Sequence, residues 1–149
     1  MARIDPERLA RLVGRRDGFR AKLAAMSVDE RRALVEAARR QRRWPSRRWL
    51  EEHAAKRHPR RTPEQFAEWA QMIKNRPRTQ VYAYIAVSDT GSADGREGFA
   101  FIDPKEGSMV WFDVEASQNL TVVVHDEPVA EFLSEKQAWY WRLADCEVR

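Results

Sequence analysis

The stretch from Pro77 to Val124, PRTQVYAYIAVSDTGSADGREGFAFIDPKEGSMVWFDVEASQNLTVVV, decides the fold. After Pro77, Val81, Ala83, Ile85 and Val87 alternate with Tyr82 and Tyr84, the period of a strand with one buried face. A polar, glycine-containing loop over 88–95 follows. Phe99 to Ile102 reads as a second strand, Asp103-Pro104-Lys105-Glu106-Gly107 as a turn, and Met109 to Val114 as a third strand. Residues 115–119 form another turn, and Leu120 to Val124 a fourth strand. Short apolar runs separated by Gly, Pro, Asp and Asn predict a meander of antiparallel strands.

Upstream the period is that of helices. Thr62-Pro63-Glu64-Gln65 combines a cap, a first-position proline and a capping-box glutamine, and Phe66, Trp69, Ala70 and Ile73 then mark one apolar face. That helix should end at Asn75-Arg76, before Pro77. Ser46 caps an earlier helix carrying Trp49, Leu50 and His53, which stops at His58 because Pro59 follows. Ser27-Val28-Asp29-Glu30 is a second capping box. It opens a helix with Leu34, Val35 and Ala38 inward and arginines outward, ending near Trp44-Pro45. Asp5-Pro6-Glu7 starts the first helix, with Leu9, Leu12 and Val13 as its stripe until Gly14 and Gly18 loosen it; a second short segment carries Phe19, Leu23 and Met26. Trp44, Trp49 and Trp69 are spaced as core residues. Downstream, a closing helix is expected from Pro128, with Val129, Phe132 and Leu133 inward and Trp139-Tyr140-Trp141 near its end. The expectation is an α+β fold: N-terminal helices followed by a four-stranded antiparallel sheet and a C-terminal helix. Residues 1–45 read as a basic helical extension and 46–149 as the α+β unit, or the two as one continuous domain.

Composition narrows the class. The chain has 149 residues, enough for a real core, and one cysteine, Cys146, which excludes an internal disulfide and suits a reducing compartment. No apolar run reaches the length of a membrane span, and the opening Met-Ala-Arg-Ile-Asp-Pro carries no apolar signal region. A cytoplasmic site of action is expected, with delivery, if any, independent of a cleaved signal. The net charge of +4 hides a division: residues 1–61 hold 19 Lys/Arg against 8 Asp/Glu, and residues 62–149 hold 8 against 15. A basic half rich in arginine suits a polyanion-binding surface; the same division would also arise if basic helices lay against an acidic sheet and neutralised it.

Two of the three histidines stand in His53-Ala54-Ala55-Lys56-Arg57-His58. On a helix, Lys56 and Arg57 share the face of His53, at i+3 and i+4, and Arg47, Arg48, Arg60 and Arg61 flank the turn. Metal-independent RNA cleavage asks for this set: a base for the 2′-hydroxyl proton, cations for the phosphate and an acid for the leaving oxygen. The bland reading makes His53 and His58 surface members of a basic helix. Arg39, Arg40, Arg42 and Arg43, together with Arg47 and Arg48, would grip RNA backbone. Tyr82 and Tyr84 share a strand face, where they either stack on bases or pack beneath a helix. His125-Asp126-Glu127 offers consecutive metal donors, but successive residues point apart along a strand end, so no metal site is expected; nor is any cofactor, because no phosphate-cradling glycine loop is followed by a helix.

The order of these pieces resembles the superfamily grouping barnase, EndoU, colicin D and RelE nucleases, in particular its phage- and polymorphic-toxin branch. There a helix bearing a histidine and a basic residue leads into a helix opening with Ser or Thr, then a compact antiparallel sheet with a late Thr or Ser. Here His53 to His58 precede Thr62-Pro63-Glu64-Gln65-Phe66, and Thr121 stands in the late position, although Val122-Val123 replace the aromatic that often follows. The resemblance spans roughly residues 46–133. It implies RNA cleavage without metal, with His53 as base or acid, Lys56 and Arg57 on the phosphate and Thr121 as a substrate-side hydroxyl. RNA is the partner implied, and a neutralising immunity or antitoxin protein would suit a toxin. Two other classes stay open: a non-catalytic module gripping nucleic acid or an acidic partner through the same arginines, and an assembly protein docking a second chain through its acidic half.

Overall fold

In a computed structural model, which describes residues 4–57, 60–124 and 128–148, the chain forms an α+β fold. The Asp5 carboxylate accepts the Arg8 N–H at 2.9 Å, and Pro6 occupies the first turn of α1 (Pro6–Ala25). The helix does not break at Gly14 or Gly18. Each glycine costs a helix interior about 1 kcal/mol relative to alanine, and burial of Leu12, Phe19 and Leu23 on one stripe offsets that cost. Leu9, expected inward, is instead exposed. Helices α2 (Val28–Arg40) and α4 (Pro63–Asn75) both begin with reciprocal capping boxes, Ser27 with Glu30 and Thr62 with Gln65. Between them lies α3 (Arg47–Arg57).

The strands β1 (Gln80–Ile85), β2 (Glu97–Asp103), β3 (Ser108–Asp113) and β4 (Gln118–Val124) form the expected antiparallel meander. A fifth strand corrects the expected ending. Helix α5 stops early, at Val129–Lys136, and Tyr140–Arg142 form β5, antiparallel to β1, so the sheet order is β4-β3-β2-β1-β5. Without β5, β1 would be an edge beneath packed layers, its outer N–H and C=O groups unpaired. The aromatic run is suited to pairing there: Trp141 meets Phe19 edge-on at 5.5 Å, and Tyr140 stacks on Tyr84 at 5.1 Å.

One sheet face, with Val81, Ala83, Ile85, Phe99, Phe101, Val110, Phe112 and Val122, packs against α1, α2 and α4. Leu12, Phe19, Val35 and Ala38 of the first two helices belong to the same core cluster as Phe66 and Ile73. The opposite face carries Tyr82, Tyr84, Ala100, Ile102 and Met109 beneath Val129 and Phe132 of α5. Across β1 and β2, Gly98 stands opposite Tyr84; a Cβ there would fall 2.3–2.6 Å from the tyrosine ring and hydroxyl. No helix among the described residues is long and apolar enough to cross a membrane.

Candidate active site

Helix α3 starts where the Ser46 hydroxyl accepts the Trp49 N–H at 3.0 Å. Leu50 and Ala54 turn into the core, and Trp49 and His53, one turn apart, lie along their flank. The two rings are nearly parallel, 9° apart with centroids separated by 4.6 Å. Trp44 stacks on Trp49 at 5.8 Å, and Phe66 of α4 packs on His53 at 5.5 Å. The imidazole is therefore held by Trp49 and Phe66, both of which are backed by Trp44. From this bed its Nε2 lies 2.8 Å from the Thr121 Oγ1 on β4, a hydrogen bond whose donor depends on the ring's protonation. Both groups are half-buried.

Thr121 reaches the helix because β4 is irregular. Trp111 pairs with Thr121 and the next residue, Phe112, pairs with Asn119, leaving Leu120 as an extra residue. Such a bulge re-aims side chains. Asn119 and Val122, three positions apart, both reach the helical layer, which a regular strand of period two would not allow.

Asn119 anchors this edge. Its N–H donates to the Arg43 carbonyl at 2.8 Å, and its side-chain amide donates to the Gln41 and Arg43 carbonyls at 3.0 and 3.2 Å. Its Oδ1 accepts from the fully buried Lys74 amine at 2.8 Å; that amine also donates to the Ala38 and Gln41 carbonyls, both at 2.9 Å, at the C-terminal end of α2. Three oxygens suit the donors of an ammonium, yet all are neutral. Burial, with Arg42 adding, pulls the lysine pKa down to about 7. Unfolded, a lysine titrates near 10.4, so above pH 7 the unfolded chain binds a proton that the folded chain has released, and stability rises with pH. Between pH 7 and 8.5 the gain should be about 1–2 kcal/mol, read from urea midpoints. Burial pushes the Cys146 thiol up to about 11, so it opposes this rise only at the top of the interval, where the unfolded thiol begins to ionise at about 8.5. Lys74→Met should remove the slope; a variant keeping it would put the titration elsewhere.

The basic half is largely paired. Arg8 meets Asp94, Arg15 meets Glu115, Lys22 meets Glu97 and Arg31 meets Asp145, so much of the front-half charge lies against carboxylates of the back half. Arg42 pairs with Glu68, and Arg47 bridges Glu51 and Glu64. Arg40 and Arg48 pair along their own helices with Glu36 and Glu52. Around the α3–α4 corner Arg43, Lys56, Arg60 and Arg61 are exposed and have no carboxylate partner among the described residues.

Three of the expected nucleic-acid contacts are corrected by burial. Arg39 is only 4% exposed, its guanidinium donating to Glu36 and the Cys146 carbonyl, so it locks the C-terminal turn against α2 instead of facing phosphate. Tyr82 and Tyr84 lie under α5, as their alternative reading had it, and cannot stack on a base. His58, His125, Asp126, Glu127 and the side chain of Arg57 lie outside the described residues. Of the expected catalytic group, the structure brings His53 and Thr121 together; Lys56 is exposed on the next turn. The supports Trp49, Phe66, Asn119 and Lys74 were not singled out as functional, and only the one-turn spacing of Trp49 from His53 signalled any of them.

No family model, curated protein or solved structure matches the chain.

Proposed function

We propose that this protein is a metal-independent endoribonuclease whose site is built on His53 and Thr121. The carrying observation is the 2.8 Å contact between them: an imidazole and a hydroxyl, 68 residues apart, meet at a half-exposed corner flanked by exposed cations that have no carboxylate partner among the described residues. In the proposed reaction the 2′-hydroxyl loses its proton to a base as its oxygen bonds phosphorus; the bond to the 5′-oxygen breaks, and that oxygen takes up a proton. The products are a 2′,3′-cyclic phosphate and a 5′-hydroxyl. The imidazole of His53 carries one of the two proton transfers, held in orientation by Trp49 and Phe66. The Thr121 hydroxyl fixes its Nε2 and can donate to a phosphate oxygen. Lys56 and Arg57 supply charge for the phosphate on the next turn of α3. The resemblance of the sequence's order of pieces to the barnase, EndoU, colicin D and RelE superfamily supports the reading.

Incubation with total RNA in excess EDTA tests it. Discrete fragments ending in cyclic phosphate are expected. A folded protein that leaves RNA intact while retaining salt-dependent binding would instead be a non-catalytic module.

A further inference from the structure

The turn before α4 and the first three turns of that helix enclose an open groove of about 550 Å³, lined by Arg60, Arg61, Gln65, Glu68, Trp69 and Met72. Its floor is an aromatic–cation stack. The Arg61 guanidinium carbon lies 3.8 Å from the centre of the Trp69 ring, the distance of face-on van der Waals contact. The tryptophan itself is buried, but Arg61 is exposed, so the outer side of the stack meets solvent. Met72, one turn beyond Trp69, is 58% exposed, the most exposed large hydrophobic side chain described. Arg60 adds a second exposed cation at the rim. Glu68 is engaged by Arg42, and the Gln65 Oε1 accepts the Thr62 N–H, so the acidic and amide groups on this wall are already held.

The chemistry that fits is a plane joined to an anion. A guanidinium backed by an indole offers a flat cationic platform, a thioether offers a polarizable apolar wall, and a neighbouring arginine offers a fork for phosphate. The groove also adjoins the catalytic corner: Phe66 lies 5.5 Å from His53 on one side and 6.4 Å from Trp69 on the other.

We propose that this groove is a nucleobase subsite for single-stranded RNA, in which an unpaired base stacks on the outer face of Arg61 above Trp69 while Arg60 holds the adjoining phosphate. The proposal rests on the reading of the His53 corner as acting on RNA and specifies the strand: a base in a duplex is already stacked on both faces and has none to offer the platform.

Fluorescence polarisation with short 2′-O-methyl oligonucleotides, which cannot be cleaved by 2′-hydroxyl attack, separates the terms. A base-bearing single strand should bind about 5–100-fold tighter than an abasic strand with the same number of phosphates, and tighter than the corresponding duplex. Arg61→Lys keeps the charge and loses the plane, so it should collapse the base preference while leaving abasic binding and its salt slope unchanged. Met72→Ala should lower the preference in part. Equal affinity for base-bearing and abasic strands, as a generic polyanion or acidic-protein surface would give, overturns the proposal; so does an Arg61→Lys protein that keeps the full preference. Base-dependent binding without any cleavage of total RNA would sink the catalytic reading and leave the subsite. Cleavage without base preference would do the reverse.

Discussion

Replacement of His53 by alanine is expected to lower RNA cleavage by about 10²–10⁴-fold, the usual loss when a positioned proton-transfer group is removed. The fold should survive. His53 is half-buried, and its packing is stacking on Trp49 and contact with Phe66, whose loss costs about 1 kcal/mol. The affinity for uncleavable RNA should change little, because the cations of the corner are untouched. Thr121→Val separates chemistry from shape: it keeps the branched side chain on β4 and removes the hydroxyl that meets Nε2. A smaller rate loss, about tenfold, is expected for a single neutral hydrogen bond, with Thr121→Ser recovering most of it. Single-turnover cleavage of a defined oligonucleotide measures all three. A folded His53→Ala protein that cleaves at the parental rate would remove His53 from the mechanism and leave the Thr121 contact as an ordinary tie between α3 and the sheet edge.

Gly98→Ala should cost about 3 kcal/mol, at the upper end of overpacking effects. The new methyl would lie 2.3 Å from Tyr84 Cζ, and the ring has no room to retreat. Tyr84 stacks on Tyr140 at 5.1 Å, and the Tyr140 hydroxyl accepts the Trp111 indole N–H at 2.9 Å. Displacement of Tyr84 is therefore passed to β5, a short strand that pairs with β1 at three positions. Urea unfolding should show a lower midpoint, and hydrogen exchange should show earlier opening of Tyr140–Arg142. Shortening the opposing ring in Gly98→Ala/Tyr84→Val should restore part of the loss, giving a clear non-additivity. Additive costs would mean that the two side chains do not compete for that space.

Much of the fold was legible because its signals are local. The capping boxes at Ser27 and Thr62 act over three residues, the alternation of β1 over six, and the turn at Asp103 to Gly107 over five. Each depends on backbone groups a few bonds away, so the sequence specifies it whatever lies elsewhere. The residues His53 and Thr121 could also be named beforehand, through a resemblance of order and spacing, though not their contact.

Tertiary structure decided what depends on distant partners. Gly14 and Gly18 read as breaks because propensity is local, and α1 runs through them because the sheet buries its stripe. Trp139-Tyr140-Trp141 suits a helix end or a strand equally, and the vacant side of β1 settled it. Charge count could not separate a phosphate-gripping arginine from one paired with a carboxylate 86 residues away; Arg8 with Asp94 and Arg39 under Cys146 needed the folded chain. By itself the sequence determined where helices begin, where strands alternate and where cations and imidazoles concentrate. The packed chain alone decided which of those groups are spent on holding it together and which remain exposed, because burial and ion pairing are properties of neighbours in space.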